Sequence, residues 1–231
     1  MLVEIYSDVV CPWCYIGKRR FEAALARFEH RDDVQVEWKS FELDPGAVAD
    51  TTGTYAQRLA AKYGTGLEQA QGMLDQMTAT AATEGLELRF DHAVHANTFD
   101  AHQVIHLAAE RGVQDAVKER LLTAYFTEGE AVGDRQVLAR LAGEAGLDAG
   151  EVRAALEDQR YAAAVRADEA EASSLGISGV PFFVVDRKYG VNGAQPADAL
   201  LQVLDRAWAD RSPLISVSSD GAACGPDGCT V

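Results

Sequence analysis

Leu2-Val3-Glu4-Ile5-Tyr6-Ser7-Asp8-Val9-Val10-Cys11-Pro12-Trp13-Cys14-Tyr15 is the stretch whose reading decides the fold. Leu2 to Tyr6 is an apolar run that predicts a strand. Tyr15 to Glu29 predicts a helix, with Phe21, Ala24, Leu25 and Phe28 at the spacing of one helical face. A C-x-x-C pair therefore stands where a strand hands over to a helix. Free amides and the dipole at a helix N-terminus stabilise an anion, so Cys11 can hold its thiolate near neutral pH. The thiolate is the species that attacks a disulfide. Cys14, one turn on, can reach the mixed disulfide and resolve it. Pro12 suits the first helical position, where a missing N–H costs nothing.

Outward from this stretch, Arg31-Asp32-Asp33 reads as a turn and Val34 to Phe41 as a second strand. Strand, helix, strand predicts a βαβ unit with parallel strands and a right-handed crossover, and Leu43-Asp44-Pro45-Gly46 ends the sheet segment. Beyond it the periodicity is helical. Stripes recur at Tyr55/Leu59/Tyr63, Met73/Leu74/Met77/Ala81, Ala101/Val104/Ile105/Ala108 and Val113/Val117/Leu121/Tyr125. Val137/Leu138/Leu141 and Val152/Ala155/Leu156 follow, and a last helix is expected from about Asp158 to Ser173. This block reads as an insertion with a small core of its own, packed over one sheet edge. The sheet pattern returns at Phe182 to Val185, turns at Asp186-Arg187-Lys188 and runs back through Tyr189-Gly190-Val191. Gln195-Pro196 opens a final helix with Leu200, Leu201, Leu204 and Trp208 on one face. The expected organisation is an α/β domain from residues 1–45 and 176–211, a helical domain over 46–175, and a flexible tail over 212–231.

Taken alone, Cys11 and Cys14 also fit half of a zinc site. A structural zinc needs four ligands, and the other close pair, Cys224 and Cys229, lies more than two hundred residues away. Among His92, His95, His102 and His106 only His102 and His106 share a helix face, and no carboxylate pattern completes a site, so no metal is expected. Redox chemistry gains support from a second motif, Gly179-Val180-Pro181, just before an apolar strand. Proline is tolerated at a strand's start, and a cis bond there would be a deliberate feature. In thioredoxin-like folds such a proline stands beside the C-x-x-C. The backbone of the residue before it, here Val180, pairs with an extended substrate.

These motifs resemble the DsbA-like thiol oxidoreductases, within them the branch of FrnE-type proteins and 2-hydroxychromene-2-carboxylate isomerases. The resemblance rests on Ser7 to Gly17, Phe41-Glu42-Leu43-Asp44-Pro45, Asn97-Thr98-Phe99-Asp100-Ala101-His102 and Gly179-Val180-Pro181-Phe182-Phe183, and covers roughly residues 1 to 210. It implies a thioredoxin-like α/β fold with a large helical domain inserted between the second and third strands. It also implies two competing chemistries. The isomerases and kappa-class glutathione transferases carry serine at the place of Cys11 and use glutathione on small electrophiles. With both cysteines present, dithiol–disulfide exchange with protein substrates is the expected activity. Cys11 and Cys14 would be catalytic, and Pro12, Trp13, Val180 and Pro181 would hold the substrate. A thioredoxin-fold peptide-binding module or chaperone is the non-enzymatic alternative. Trp13 stands where periplasmic DsbA has a histidine that helps stabilise the thiolate. A Cys11 pKa between the DsbA value of ~3.5 and the thioredoxin value of ~7 is therefore expected, with a weaker oxidant. Asp8 either hydrogen-bonds the loop or takes a cysteine proton through water, and a close carboxylate would oppose the thiolate. Asn97, Thr98 and His102 match a pattern near the active site of the glutathione-using members; read from the residues, a helix cap at Asn97 or Thr98 and a polar helix-face residue at His102 are the favoured roles.

Composition narrows the partners. The 231 residues are 48% hydrophobic and 25% charged, with formal net charge −15, which disfavours nucleic acid. No apolar run reaches membrane-spanning length. Met1-Leu2-Val3-Glu4 lacks a basic leader region, and the expected location is the cytoplasm. The four cysteines come as two close pairs, which favours redox chemistry over stapling. Cys224-Gly225-Pro226-Asp227-Gly228-Cys229 encloses turn residues that would let its ends meet, so this pair is a candidate second dithiol. No bound cofactor is expected. Glutathione is the candidate small-thiol reductant or co-substrate, and the oligomeric state is left open between monomer and homodimer.

Overall fold

A computed structural model describes residues 1–48 and 53–211, with the backbone of residues 224–225 and 228–229. Strands β1 (Leu2–Ser7), β2 (Gln35–Ser40), β3 (Phe182–Val185) and β4 (Tyr189–Asn192) form one sheet in the order β2-β1-β3-β4. β1 and β2 are parallel; β1 to β3 and β3 to β4 are antiparallel. β1 is interior to the sheet, which explains a run that is apolar apart from Glu4 and Ser7: a strand covered on both faces has no reason to alternate. Ile5 stands opposite Trp38 on one side and Phe183 on the other. The β3–β4 hairpin turns through Asp186 and Arg187, both at positive φ, and the Asp186 carboxylate accepts a 2.7 Å bond from the Leu2 amide.

Helix α1 (Pro12–Arg27) supplies the crossover between β1 and β2. Pro12 takes its first position, as its fixed backbone predicts, three residues ahead of Tyr15, and Cys11 is the capping residue. A proline there costs no hydrogen bond, so the helix reaches back to the cysteine. α1 packs against α9 (Ala197–Ala209), and Phe21 stacks on Phe183 at 5.7 Å. Among the described residues, seven helices intervene between β2 and β3: α2 (Tyr55–Tyr63), α3 (Leu67–Thr83), α4 (Phe99–Glu110), α5 (Gln114–Thr123), α6 (Arg135–Glu144), α7 (Ala149–Glu157) and α8 (Ala162–Ser174). The thioredoxin-like fold with a helical insertion at this place is thus as expected.

Three details differ from the sequence reading. α8 begins at Ala162 rather than near Asp158, because Asp158 closes α7 and Gln159 turns the chain at φ 50°. The stripe ending in Tyr125 leaves α5 and passes into a π turn, Ala124–Glu128. The insertion also has no separate core. Val3, Ile5, Ile16 and Phe183 belong to one continuous buried cluster with Leu107, Leu121, Phe126 and Leu141. The reason is that α4, α5 and α8 pack directly on β2, so helix faces expected to meet each other meet the sheet as well. A smaller cluster of Tyr6, Ala172, Ile177 and Val184 seals the other side of the sheet.

Candidate active site

Cys11 caps α1 in an extended conformation, and the Cys14 and Tyr15 amides donate to its carbonyl at 3.0 and 3.3 Å. Its sulfur donates to the Val180 carbonyl at 3.5 Å. The Val180–Pro181 bond is cis. Gly17 is what lets the helix come this close: a Cβ there would lie 2.9 Å from Pro181 Cγ. Cys11, Pro12, Trp13 and Val180 line a cleft of about 490 Å³, and Cys14 does not. Its far wall comes from the insertion: Tyr55, Leu59 and Tyr63 of α2, and Met73 and Met77 of α3. Tyr63, 59% exposed, is therefore a cleft residue rather than the core residue its stripe suggests. Trp13 is 39% exposed, an aromatic rim beside the sulfur. Apart from sulfur, Lys62 is, among the described residues, the one ionisable group lining the cleft with a formal charge.

Behind the cysteines lies a polar floor. Ser7, Asp8, His102 and Lys118 are all buried there. Leu43 N donates to Asp8 Oδ2 at 2.8 Å, and His102 Nε2 stands 3.4 Å from Asp8 Oδ1 without the alignment of a hydrogen bond. Lys118 Nζ donates to the Ser7 carbonyl at 3.4 Å and lies 5.5 Å from the centre of the Trp38 ring. Burial pushes the Asp8 carboxyl up, but His102, the Leu43 amide and Lys118 together hold it below its ordinary value. Burial pulls the Lys118 ammonium down to about 8 against the upward pull of Cys14, Asp8 and Cys11.

The two thiols share this environment and titrate as a pair. The contact with the Cys14 sulfur, followed by burial, pushes the Cys11 thiol well up, and the Asp8 charge adds to this. Burial pushes Cys14 up too, yet its contact with Cys11 and the charge of Lys118 bring it below its ordinary value. One proton thus leaves readily and the second is held. The depressed Cys11 expected from sequence is therefore not what the fold gives: the Cys14 contact and burial outweigh the helix N-terminus, and the lowered thiol is Cys14, while the sulfur that meets the cleft is Cys11.

Asn97 and His102 do not line the cleft. Asn97 Oδ1 accepts from the Phe99 amide at 3.0 Å, so it caps α4 by an Asx turn while Thr98 makes no side-chain cap. Its Nδ2 donates to Glu42 Oε1 and to the Pro45 carbonyl, each at 3.1 Å. Arg166 holds the other Glu42 oxygen at 2.6 Å. This clamp fixes the loop after β2, from which Leu43 reaches both the cleft and Asp8. Lys118 escaped the sequence reading. The signal was present: Leu121, Leu122 and Tyr125, all buried, lie three, four and seven residues after it, so the lysine interrupts a buried stripe. The tail pair lies mostly outside the described residues. The backbone there pairs Cys224 with Cys229 and Gly225 with Gly228 in a two-stranded antiparallel ribbon, β5 (Cys224–Gly225) and β6 (Gly228–Cys229).

A family model for the DSBA-like thioredoxin domain matches residues 2–205. The crystal structure of a probable DsbA oxidoreductase from Streptomyces coelicolor is 52% identical, with a TM-score of 0.91 over 100% of this chain and 99% of that one. An uncharacterised protein of Bacillus subtilis (strain 168), YwbO, is 30% identical over 191 residues, 79% of this chain and 86% of its own length. The cytosolic disulfide reductase DsbM of Pseudomonas aeruginosa, solved with GSH, shares the fold at 20% identity and a TM-score of 0.61, over 90% of this chain and 100% of that one.

Proposed function

Since the chain belongs to the family of DSBA-like thioredoxin domains, we propose that it is a thiol–disulfide oxidoreductase acting on protein substrates through Cys11. The observation that carries this reading is the position of Cys11. Its sulfur opens on the cleft beside the Val180 carbonyl, with Cys14 behind it over a buried cation. In the reducing direction the Cys11 thiolate attacks a substrate disulfide, one substrate sulfur leaves as thiolate, and a mixed disulfide forms. Cys14 then attacks Cys11, releasing the second substrate thiolate and closing the Cys11–Cys14 disulfide. Oxidation of a substrate dithiol is the same path run backwards. Pro12, Trp13, Val180 and Pro181 border the place where an extended peptide would lie.

The cleft chemistry favours a peptide over glutathione as the principal substrate. Val10, Leu59, Tyr63, Met73 and Met77 offer apolar and polarisable surface, and among the described residues Lys62 alone offers charge. Glutathione carries two carboxylates, which this lining pairs poorly. Its fitting role is the small thiol that returns the disulfide to dithiol, with no cofactor bound. The proposed location is the cytoplasm, where a reductase or isomerase direction is favoured. Cys224 and Cys229 are a proposed second dithiol. Register partners in an antiparallel ribbon stand about 4.5–5.5 Å apart at Cα, within the reach of a disulfide.

Thiol-dependent insulin reduction that disappears in Cys11→Ser is the expected result. Tight glutathione binding with turnover of small electrophiles, and no insulin reduction, would instead identify a glutathione-dependent isomerase or transferase. Peptide holding that survives loss of both cysteines would identify a chaperone. For the tail, Cys14→Ser should accumulate a Cys11 disulfide to Cys224 or Cys229 under mild oxidation; peptide maps without that species would remove the tail from the cycle.

A further inference from the structure

The redox cleft has a larger neighbour. On the far side of its α2–α3 wall lies a groove of about 1430 Å³. α2 and α3 pack as a hairpin, and its residues divide between the two spaces: Leu59, Lys62 and Met77 line the cleft, while Arg58, Glu68 and Asp75 line the groove. Tyr55 borders both. The groove floor is buried Leu88 and Phe90, and it is anchored. The Arg89 amide donates to the Phe126 carbonyl at 2.7 Å, and Thr127 Oγ1 donates to the Glu87 carbonyl at 2.9 Å. Phe126 and Thr127 belong to the π turn, an irregularity that recurs at functional sites. Two large apolar side chains stand exposed where the hairpin turns. Tyr63 at the end of α2 is 59% exposed and lines the cleft; Leu67 at the start of α3 is 54% exposed and lines the groove. Together they mark a path from one space to the other.

The two spaces differ in sign. Lys62, beside Tyr63, has no hydrogen bond or ion pair among the described residues. The groove carries three carboxylates, Glu68, Asp75 and Asp91. Among the described residues only Asp91 has an ion-pair contact, with the His92 imidazole at 3.2 Å. Glu68 stands beside Leu67, and Asp75 accepts from the Gln71 amide at 2.8 Å. The basic groups of the groove are engaged: Arg58 donates to the Gly53 carbonyl at 3.1 Å, and His92 meets Asp91 and Arg89.

We propose that the α2–α3 hairpin reads the charge order of the substrate polypeptide. The chain leaves Cys11 with an acidic side chain against Lys62, crosses the hairpin at Tyr63 and Leu67, and sets a basic side chain against Glu68 and Asp75. The inference rests on the exchange reading above and names its substrate class: an extended polypeptide, acidic near the reacting cysteine and basic further on. A helix is about 10 Å across and an extended chain covers about 3.3 Å per residue, so about three or four residues separate the two charges.

The test uses two peptide isomers, each with a single cysteine held as a mixed disulfide with nitrothiobenzoate. One carries Glu about two residues from the cysteine and Lys about four residues beyond it; the other exchanges the two. Composition and net charge are then identical, so the pull of the whole protein's charge cancels. Both isomers are made on either side of the cysteine. The Cys11 thiolate attacks the peptide sulfur, the Cys11–peptide bond forms, and nitrothiolate leaves with the electron pair, so absorbance gives the rate. On one side of the cysteine the matched isomer should react about fivefold faster, the factor that two exposed ion pairs supply. Lys62→Glu should bring that ratio to about one, and Glu68→Gln with Asp75→Asn should about halve it. Lys62→Glu combined with Glu68→Lys and Asp75→Lys should reverse it. All three side chains are exposed, so these variants keep the fold. Equal rates for the two isomers on both sides of the cysteine overturn the proposal, and so does a ratio that survives the charge exchange. If neither isomer releases nitrothiolate faster from the unsubstituted protein than from Cys11→Ser, the exchange reading itself fails.

Discussion

Gly17 sets the distance between the redox helix and the Val180–Pro181 bond. Added bulk would meet the rigid proline ring at 2.9 Å and the Phe183 ring at 3.5 Å. Gly17→Ala should therefore destabilise the protein by about 1–3 kcal/mol, the usual cost of overpacking, despite the better helix propensity of alanine. It should also slow insulin reduction more than it slows the reaction of Cys11 with a small disulfide, because the shift opens the peptide-bearing wall. Equal stability in chemical denaturation would show that the helix can retreat freely. Lys118 makes the opposite point. Its ammonium titrates near 8 in the fold and near 10.5 in the unfolded chain. Between those values the unfolded chain binds more protons, so stability rises with pH across the window, and the full penalty applies below 8. Lys118→Met should then stabilise the reduced protein at pH 7, by on the order of 1–3 kcal/mol, and the gain should shrink toward pH 10. A residue kept for packing would give a loss in the same denaturation experiment.

At the scale of elements, the decisive contact is the one between α1 and α5. It sets Lys118 beneath the redox helix, where Cys14 feels its charge, and ion pairs hold it. Glu119 on α5 accepts from Arg19 and lies 3.0 Å from Lys18, while Asp115 reaches Lys18 at 3.2 Å. Burial alone would push the Glu119 carboxyl up; Arg19 and Lys18 bring it down to about 2. A depressed carboxylate stabilises the fold above its unfolded value and loses that contribution as pH falls from about 4.5 through about 2. Glu119→Gln should cost on the order of 1–3 kcal/mol at pH 7 and almost nothing near pH 2, as denaturant titrations at the two pH values would reveal. The pairing of these helices was not legible in sequence. Their stripes announced helices, but 97 residues separate Lys18 from Asp115, and helical periodicity names no partner.

Across the whole molecule, charge and the continuous core matter most. With formal net charge −15, the protein repels anions at distances the cleft does not control. Lys62 is too small a counterweight to reverse that. Oxidised glutathione, an anion, should react faster as salt is added, while cystamine, a dication, should react slower, so their rate ratio converges at high ionic strength. Rates independent of salt for both would mean that local groups dominate the approach. No helix among the described residues is long and apolar enough to cross a membrane. The helical insertion is part of the same packed body as the sheet, because α4, α5 and α8 rest on β2. That is why a residue from the insertion can stand at the floor of the redox centre.

Local signals were enough for much of this. The C-x-x-C at a strand-to-helix junction, the βαβ periodicity, the Gly-Val-Pro before a hairpin and the capping Asn97 all depend on near neighbours, and the chain carries them in its order of residues. A covered strand, a helix start and a turn each have a short-range cause. Three things required the tertiary structure. Lys118 reaches the Ser7 carbonyl at the floor of the redox centre from 111 residues away. Tyr63 and the Met73/Met77 pair become a cleft wall instead of core. Asp8 gains its partners Leu43 and His102 from two other segments. In each case the physics is desolvation and charge between groups distant in sequence. Periodicity records which face of a helix is apolar; only packing decides what that face, or a lysine placed on it, will meet.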